Sequence, residues 1–120
     1  MKNREIKQGD IYMGSLPTGI DSETKGCHPL LILSVDLRNE KSGNVVVASI
    51  THRQKKYQPT HYYLYKYIYP NFIYDVNTVM LEDIHTISKR RLQGFLLHLK
   101  EKDMNNILEL TDYIFIEKVK

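Results

Sequence analysis

Apolar residues along this chain gather in short runs separated by glycine, proline and charge, and only the last segment shows helical spacing. That rhythm predicts strands first and one helix last. Gly9 and Asp10 form a turn signal that launches a first strand at residues 11–13. Residues 16–25 follow as a polar loop containing Pro17, Gly19, Asp21, Ser22 and Glu23, and a loop of that length in a small domain is often functional. Residues 29–34 are almost continuously apolar, which predicts a second strand buried on both faces. Residues 36–43 read as a connection closing at Gly43.

The β-branched run Val45-Val46-Val47 predicts a third strand over residues 44–51. A basic loop comes next, and beyond Pro59 a fourth strand runs from His61 to about Tyr65. Residues 67–77 fit no period and are broken at Pro70-Asn71, so they read as a loop with at most a helical turn. Residues 78–87 give a fifth strand, broken or bulged near Asp83. Ser88 is placed to cap a short turn through Lys89, Arg90, Arg91 and Leu92, ahead of a last strand at residues 94–99. From residues 100–103 to about Glu117, the positions Met104, Ile107, Leu108, Thr111, Ile114 and Phe115 recur at three-and-four spacing. They predict a helix whose apolar stripe packs on the sheet or on a partner. Six short strands and a terminal helix suggest a mainly β fold, a small and partly closed antiparallel barrel.

Length and composition narrow the picture. At 120 residues the chain fits a single domain over residues 1–120, able to bury a core without staples. The lone Cys27 excludes an intramolecular disulfide framework and any multi-cysteine metal site, which points to a reducing compartment. The charged start leads into no signal-peptide core, and no apolar run approaches the ~20 residues that span a bilayer. The expectation is a soluble, cytoplasmic protein without membrane contact.

Charge and rings add a hint. A formal charge of +3 permits a polyanionic partner without requiring one. Basic residues cluster at 52–56 and 89–91, whereas Glu101, Asp103, Glu109 and Asp112 collect in the final segment. A basic cluster taken singly is usually a solvated loop. Six of the nine tyrosines lie between Tyr57 and Tyr69. Rings mixed with cations suit stacking on a single-stranded nucleic acid, and suit equally a sheet edge of amphipathic tyrosines.

Among titratable groups, His28 stands at the hinge of Gly26-Cys27-His28-Pro29, where a polar side chain projects from the rim of the second strand. A lone histidine near a strand end is more often a surface or hydrogen-bonded residue than a catalyst. No His pair has close metal-ligand spacing, so neither a metal nor a cofactor is expected.

The order of these motifs resembles the MazF/PemK toxins of bacterial toxin-antitoxin systems. Lys7-Gln8-Gly9-Asp10-Ile11-Tyr12 matches the family's start, and Ser22-Glu23 with Gly26-Cys27-His28-Pro29 and residues 30–34 matches its loop and second strand. Residues 39–42 match its connection, Val47-Ala48-Ser49-Ile50-Thr51 its third strand, and Pro59-Thr60-His61 the start of its fourth. Leu81-Glu82-Asp83-Ile84-His85-Thr86-Ile87 and Lys89-Arg90-Arg91-Leu92 complete a resemblance that covers nearly the whole chain.

The resemblance implies a small SH3-like barrel of the CcdB/MazF type and a homodimer. It implies a metal-independent, sequence-specific endoribonuclease that cleaves single-stranded RNA to a 2′,3′-cyclic phosphate and a 5′-hydroxyl. An antitoxin whose disordered tail folds into the RNA groove is the implied protein partner. The family places an arginine immediately before the strand-opening proline and a threonine or serine at the end of the third strand; Thr51 matches the latter, but His28 takes the arginine's place. Its usual glutamine and arginine in the fifth strand are replaced by Asp83 and His85. Imidazole can move a proton, whereas arginine is a fixed charge. His28, Thr51 and the loop acid Glu23 are therefore the expected catalytic residues, with His52, Arg53, Lys55, Lys56, His61, Asp83 and His85 as RNA contacts. Two further readings stand beside this one. The first is a catalytically impaired member that binds RNA or protein without cleaving, and the other a topoisomerase poison of the CcdB type.

Overall fold

Alternation of side chains sets the two faces of one sheet. The computed structural model describes residues 4–17, 26–54 and 56–117. Its strands are β1 (Asp10–Ser15), β2 (Cys27–Ile32), β3 (Asn44–Thr51), β4 (His61–Tyr65), β5 (Val76–Ser88) and β6 (Leu92–His98). They pair antiparallel throughout as a six-stranded curled sheet in the order β4-β5-β3-β2-β1-β6. The mainly β half-barrel with a C-terminal helix is therefore the architecture expected above.

Because successive strand residues point to opposite sides, Tyr12, Leu30, Ile32, Val45, Val47 and Ile87 pack together on one face. Ile11, Leu31, Ala48, Ile50, Val79 and Leu81 pack on the other. The helix α2 (Glu101–Leu110) seats Met104 and Ile107 on that second face. Two apolar faces explain why residues 30–32 run apolar without alternation.

Helix α2 is also pinned by polar groups. The Tyr62 and Tyr69 hydroxyls both donate to Asp103, Tyr62 at 2.6 Å, while the Lys100 amide donates to the Tyr69 hydroxyl at 3.0 Å. Asn106 Nδ2 donates to the Tyr62 hydroxyl at 3.2 Å. Burial raises the pKa of both tyrosines, and donation to Asp103 raises them further. Two of the six tyrosines in the tyrosine-rich segment, Tyr62 and Tyr69, thus serve to hold the helix.

The structure departs from the sequence expectations in three places. Residues expected as a plain connection hold a short helix, α1 (Asp36–Lys41), tied down by buried Asn39, whose Nδ2 donates to the Ser34 carbonyl at 2.8 Å. Strand β2 begins before Pro29, which is tolerated because Pro29 pairs with Met13 of β1 and the β2–β3 register begins only at Leu30. The final helix breaks at Thr111, whose hydroxyl bonds the Leu108 carbonyl at 2.5 Å, before a last turn α3 (Asp112–Phe115). The apolar stripe therefore divides: Met104 and Ile107 are buried, while Phe115 is 69% exposed.

Candidate functional site

The site begins at a glycine. Gly26 has φ of +89°, a left-handed conformation costly for other residues, and it turns the chain into β2. Since β2 and β3 run antiparallel with Leu30 opposite Ser49, the start of β2 lies beside the end of β3. By strand alternation His28 falls on the face of Leu30, and Thr51 on the face of Ser49. Both line a cleft of about 360 Å³. The Thr51 hydroxyl accepts from the Arg53 amide at 3.2 Å, which leaves its own proton to donate elsewhere. Cys27 also lines this cleft, and its thiol donates to Gln93 Oε1 at 3.2 Å.

The bulge in β5 brings in a carboxylate. Ala48 pairs with Ile84 but the next residue, Ser49, pairs with Met80, so Leu81, Glu82 and Asp83 are left over. These three side chains diverge. Leu81 is fully buried in the core, and Glu82 turns to β4, where its carboxylate meets His61 Nε2 at 2.7 Å and the Thr60 hydroxyl at 2.9 Å. Asp83 turns to the cleft and accepts from the Ser49 hydroxyl on one oxygen and from His85 Nε2 on the other at 2.8 Å. A carboxylate held by two donors is fixed in orientation yet keeps lone pairs for a ligand.

Glu82 shows what those bonds do electrostatically. Its partial burial pushes the carboxyl upward, but the bonds from His61, its own backbone amide and Thr60 outweigh this, and its pKa ends below the usual value.

The expected site residues divide by position. His28, Thr51, His52, Arg53 and Asp83 share the cleft. His85 stands behind Asp83 as its donor, with its side chain 30% exposed. Lys56 is exposed on the loop after β3 and is not part of the cleft wall. His61 is 5% exposed and faces Glu82, away from the cleft. Glu23 and Lys55 lie outside the described residues. Sequence reasoning missed Ser49, although a serine within a valine-rich strand, two positions before Thr51, was the available signal. It also missed Tyr74, whose ring stacks on His52 with centroids 3.7 Å apart and planes 8° apart.

No group of three His, Cys, Asp or Glu side chains is arranged to share a metal ion among the described residues. Within the same residues no helix is long and apolar enough to cross a membrane.

Fold and cleft together define a class, a curled antiparallel sheet backed by one helix, with a histidine, a threonine and an oriented aspartate facing one open groove. The family model of the PemK-like, MazF-like toxin of type II toxin-antitoxin systems matches residues 7–115, and the chain belongs to this family. It is 35% identical over 105 residues to the endoribonuclease EndoA of Bacillus subtilis, covering 87% of this chain and 89% of that protein. It is 33% identical over 108 residues to the endoribonuclease MazF of Staphylococcus saprophyticus, covering 89% and 88% respectively. In fold it is similar to MazF from Deinococcus radiodurans, with a TM-score of 0.77 at 18% identity over 94% of this chain and 98% of that one. A mycobacterial endoribonuclease in complex with its cognate antitoxin superposes with a TM-score of 0.75 at 20% identity, over 96% and 99%.

Proposed function

We propose that this chain, acting as one domain over residues 1–120, is a toxin endoribonuclease that cuts single-stranded RNA by transesterification, with His28 in place of the family's arginine. The observation that carries this reading is the shared cleft of His28 and Thr51. In the reaction the RNA 2′-hydroxyl attacks the adjacent phosphorus and His28 takes its proton. The Thr51 hydroxyl and the cations of the following loop stabilise the charge that develops on the phosphorane oxygens. The bond to the 5′-oxygen breaks, solvent protonates that oxygen, and a 2′,3′-cyclic phosphate and a 5′-hydroxyl remain. Every bond change is internal to the RNA, so the scheme calls for no co-reactant. A homodimer in the cytoplasm, held in check by an antitoxin, completes the reading; relatives named as endoribonucleases and a fold neighbour bound to its antitoxin support it.

A second reading has its own observation. The positions of three family side chains hold His28, Asp83 and His85, and a carboxylate repels phosphate where the family has an amide. On that reading the scaffold binds RNA or protein without cutting. Incubating the purified protein with a panel of single-stranded RNAs in EDTA, with mass spectrometry of the ends, separates the two. Cyclic phosphate ends that disappear in His28→Ala are expected. An intact panel that the protein nonetheless binds would replace the first reading by the second.

A further inference from the structure

The connection between β4 and β5 is tied down by backbone bonds and two buried rings, yet it presents other rings to solvent. Its backbone is closed by bonds from the Lys66 amide to the Asp75 carbonyl at 2.9 Å, from Tyr69 to Tyr65 at 2.9 Å and from Phe72 to Tyr69 at 3.1 Å. Tyr69 and Phe72 anchor it from beneath, 6% and 3% exposed, meeting edge to face at 6.4 Å. The buried Asn77 side chain donates to the Tyr74 carbonyl at 2.9 Å and fixes the far end.

Above this anchored base, Tyr74 is 48% exposed and Ile73 78% exposed, and both line the cleft. The His52 ring lies parallel on Tyr74 at 3.7 Å and is itself exposed. Core packing does not account for this pair, since neither ring is buried. His52 directly follows Thr51, so the platform stands one residue from the hydroxyl of the candidate site. The cations Arg53 and Lys56 follow on the same loop.

We infer that the His52–Tyr74 stack is a nucleobase platform that takes one unpaired base of a single-stranded RNA next to the reacting phosphate. This rests on the RNA reading above and deepens it. Two parallel rings in contact, with surface left on both, have the geometry that a third planar ring extends by stacking. Stacking tolerates any base because each has a π-face, so the platform contributes affinity and register while base choice is left to polar groups such as Asp83. Pre-anchoring of the loop lets the base stack without first ordering the protein.

The test uses a 2′-O-methyl oligonucleotide, which cannot cyclise, carrying 2-aminopurine at successive positions. Quenching is expected at one position, lost in Tyr74→Ala and kept in Tyr74→Phe. Tyr74→Ala should weaken binding by about 10-fold, within the range found for base–aromatic stacking. An abasic site at the quenched position should weaken the wild type equally and leave Tyr74→Ala almost unaffected, a non-additivity that loss of fold would not produce. Equal binding by Tyr74→Ala, or quenching at no position, overturns the platform. If the parent cleaves RNA without quenching, the platform alone fails; if it quenches without cleaving, the nuclease reading alone fails.

Discussion

Asp103 and Asp83 each receive two side-chain donors, yet one carboxylate closes a structural network while the other stands beside an open cleft. At Asp103 both donors are tyrosine hydroxyls that tie α2 to β4 and to the turn after it. At Asp83 the donors are Ser49 and His85, and the carboxylate stands 34% exposed beside a cleft. A closed network converts its hydrogen bonds into stability, because opening it strands buried donors. An open one leaves lone pairs pointing where a ligand can reach. The same side chain thus latches a helix in one place and faces an open cleft in the other.

The sharpest break in this comparison is His28→Ala. Cleavage should fall by about 10²–10⁴-fold, the usual worth of a positioned base, while the thermal midpoint stays unchanged. Asp103→Ala should do the reverse. Losing two bonds and stranding two hydroxyls should cost about 2–4 kcal/mol in denaturant unfolding, with kcat/KM per folded molecule preserved. A folded but inactive Asp103→Ala would erase the distinction between the two carboxylates. Alkaline titration probes the same latch more gently. Tyr62 and Tyr69 have pKa values raised above the ordinary 10.0 in the folded state. Their stabilising contribution is therefore complete below pH 10 and is lost as pH rises from 10 through the folded values. Tyr69→Phe should flatten that alkaline limb, as measured by unfolding across pH 8 to 12.

Asp83→Asn is the gentler probe of the open carboxylate. The amide keeps the shape but exchanges an acceptor for a donor, so stability should change by less than about 1 kcal/mol. The set of RNA sequences cut should shift, with about a 10-fold change in relative rates for bases presenting an amine to the cleft. Sequencing of cleaved ends from a randomised RNA pool measures this. An unchanged preference would make Asp83 a support for His85 and nothing more.

What the sequence made legible follows the range of the forces involved. Strands β3 and β4 lie at Asn44–Thr51 and His61–Tyr65, where β-branched and aromatic runs placed them, and Ser88 accepts from the Arg90 amide as its capping position suggested. The bulge near Asp83 was visible because apolar and acidic residues alternate out of phase there. Helix α1 was hidden: six residues carry no period, and its anchor, buried Asn39, resembles an ordinary turn residue in isolation. That His28 and Thr51 line one cleft needed the strand order, which only the family resemblance supplied. Nothing local announced His52 against Tyr74, or Asp103 between Tyr62 and Tyr69, since both join residues far apart in the chain through the way β4 and its following loop fold back.

Glu82 gives the smallest of the expected effects. It leaves the same bulge as Asp83 but turns toward β4, so its bonds to His61 and Thr60 tie the bulge to the start of that neighbouring strand. Its carboxyl is held below the ordinary 4.5. The sign follows: stability from Glu82 is present above about pH 4.5 and is lost as pH falls through the lower, folded value. Glu82→Gln should therefore match the wild type in strong acid and fall behind it at neutral pH. The gap should not exceed about 1 kcal/mol, because the pair is partly solvated. Thermal midpoints between pH 3 and 7 measure it. If the bulge also depends on this bond, cleavage preference at neutral pH should move in the same direction as in Asp83→Asn. A Glu82→Gln protein with altered stability and unaltered preference would show that Ser49 and His85 orient Asp83 by themselves.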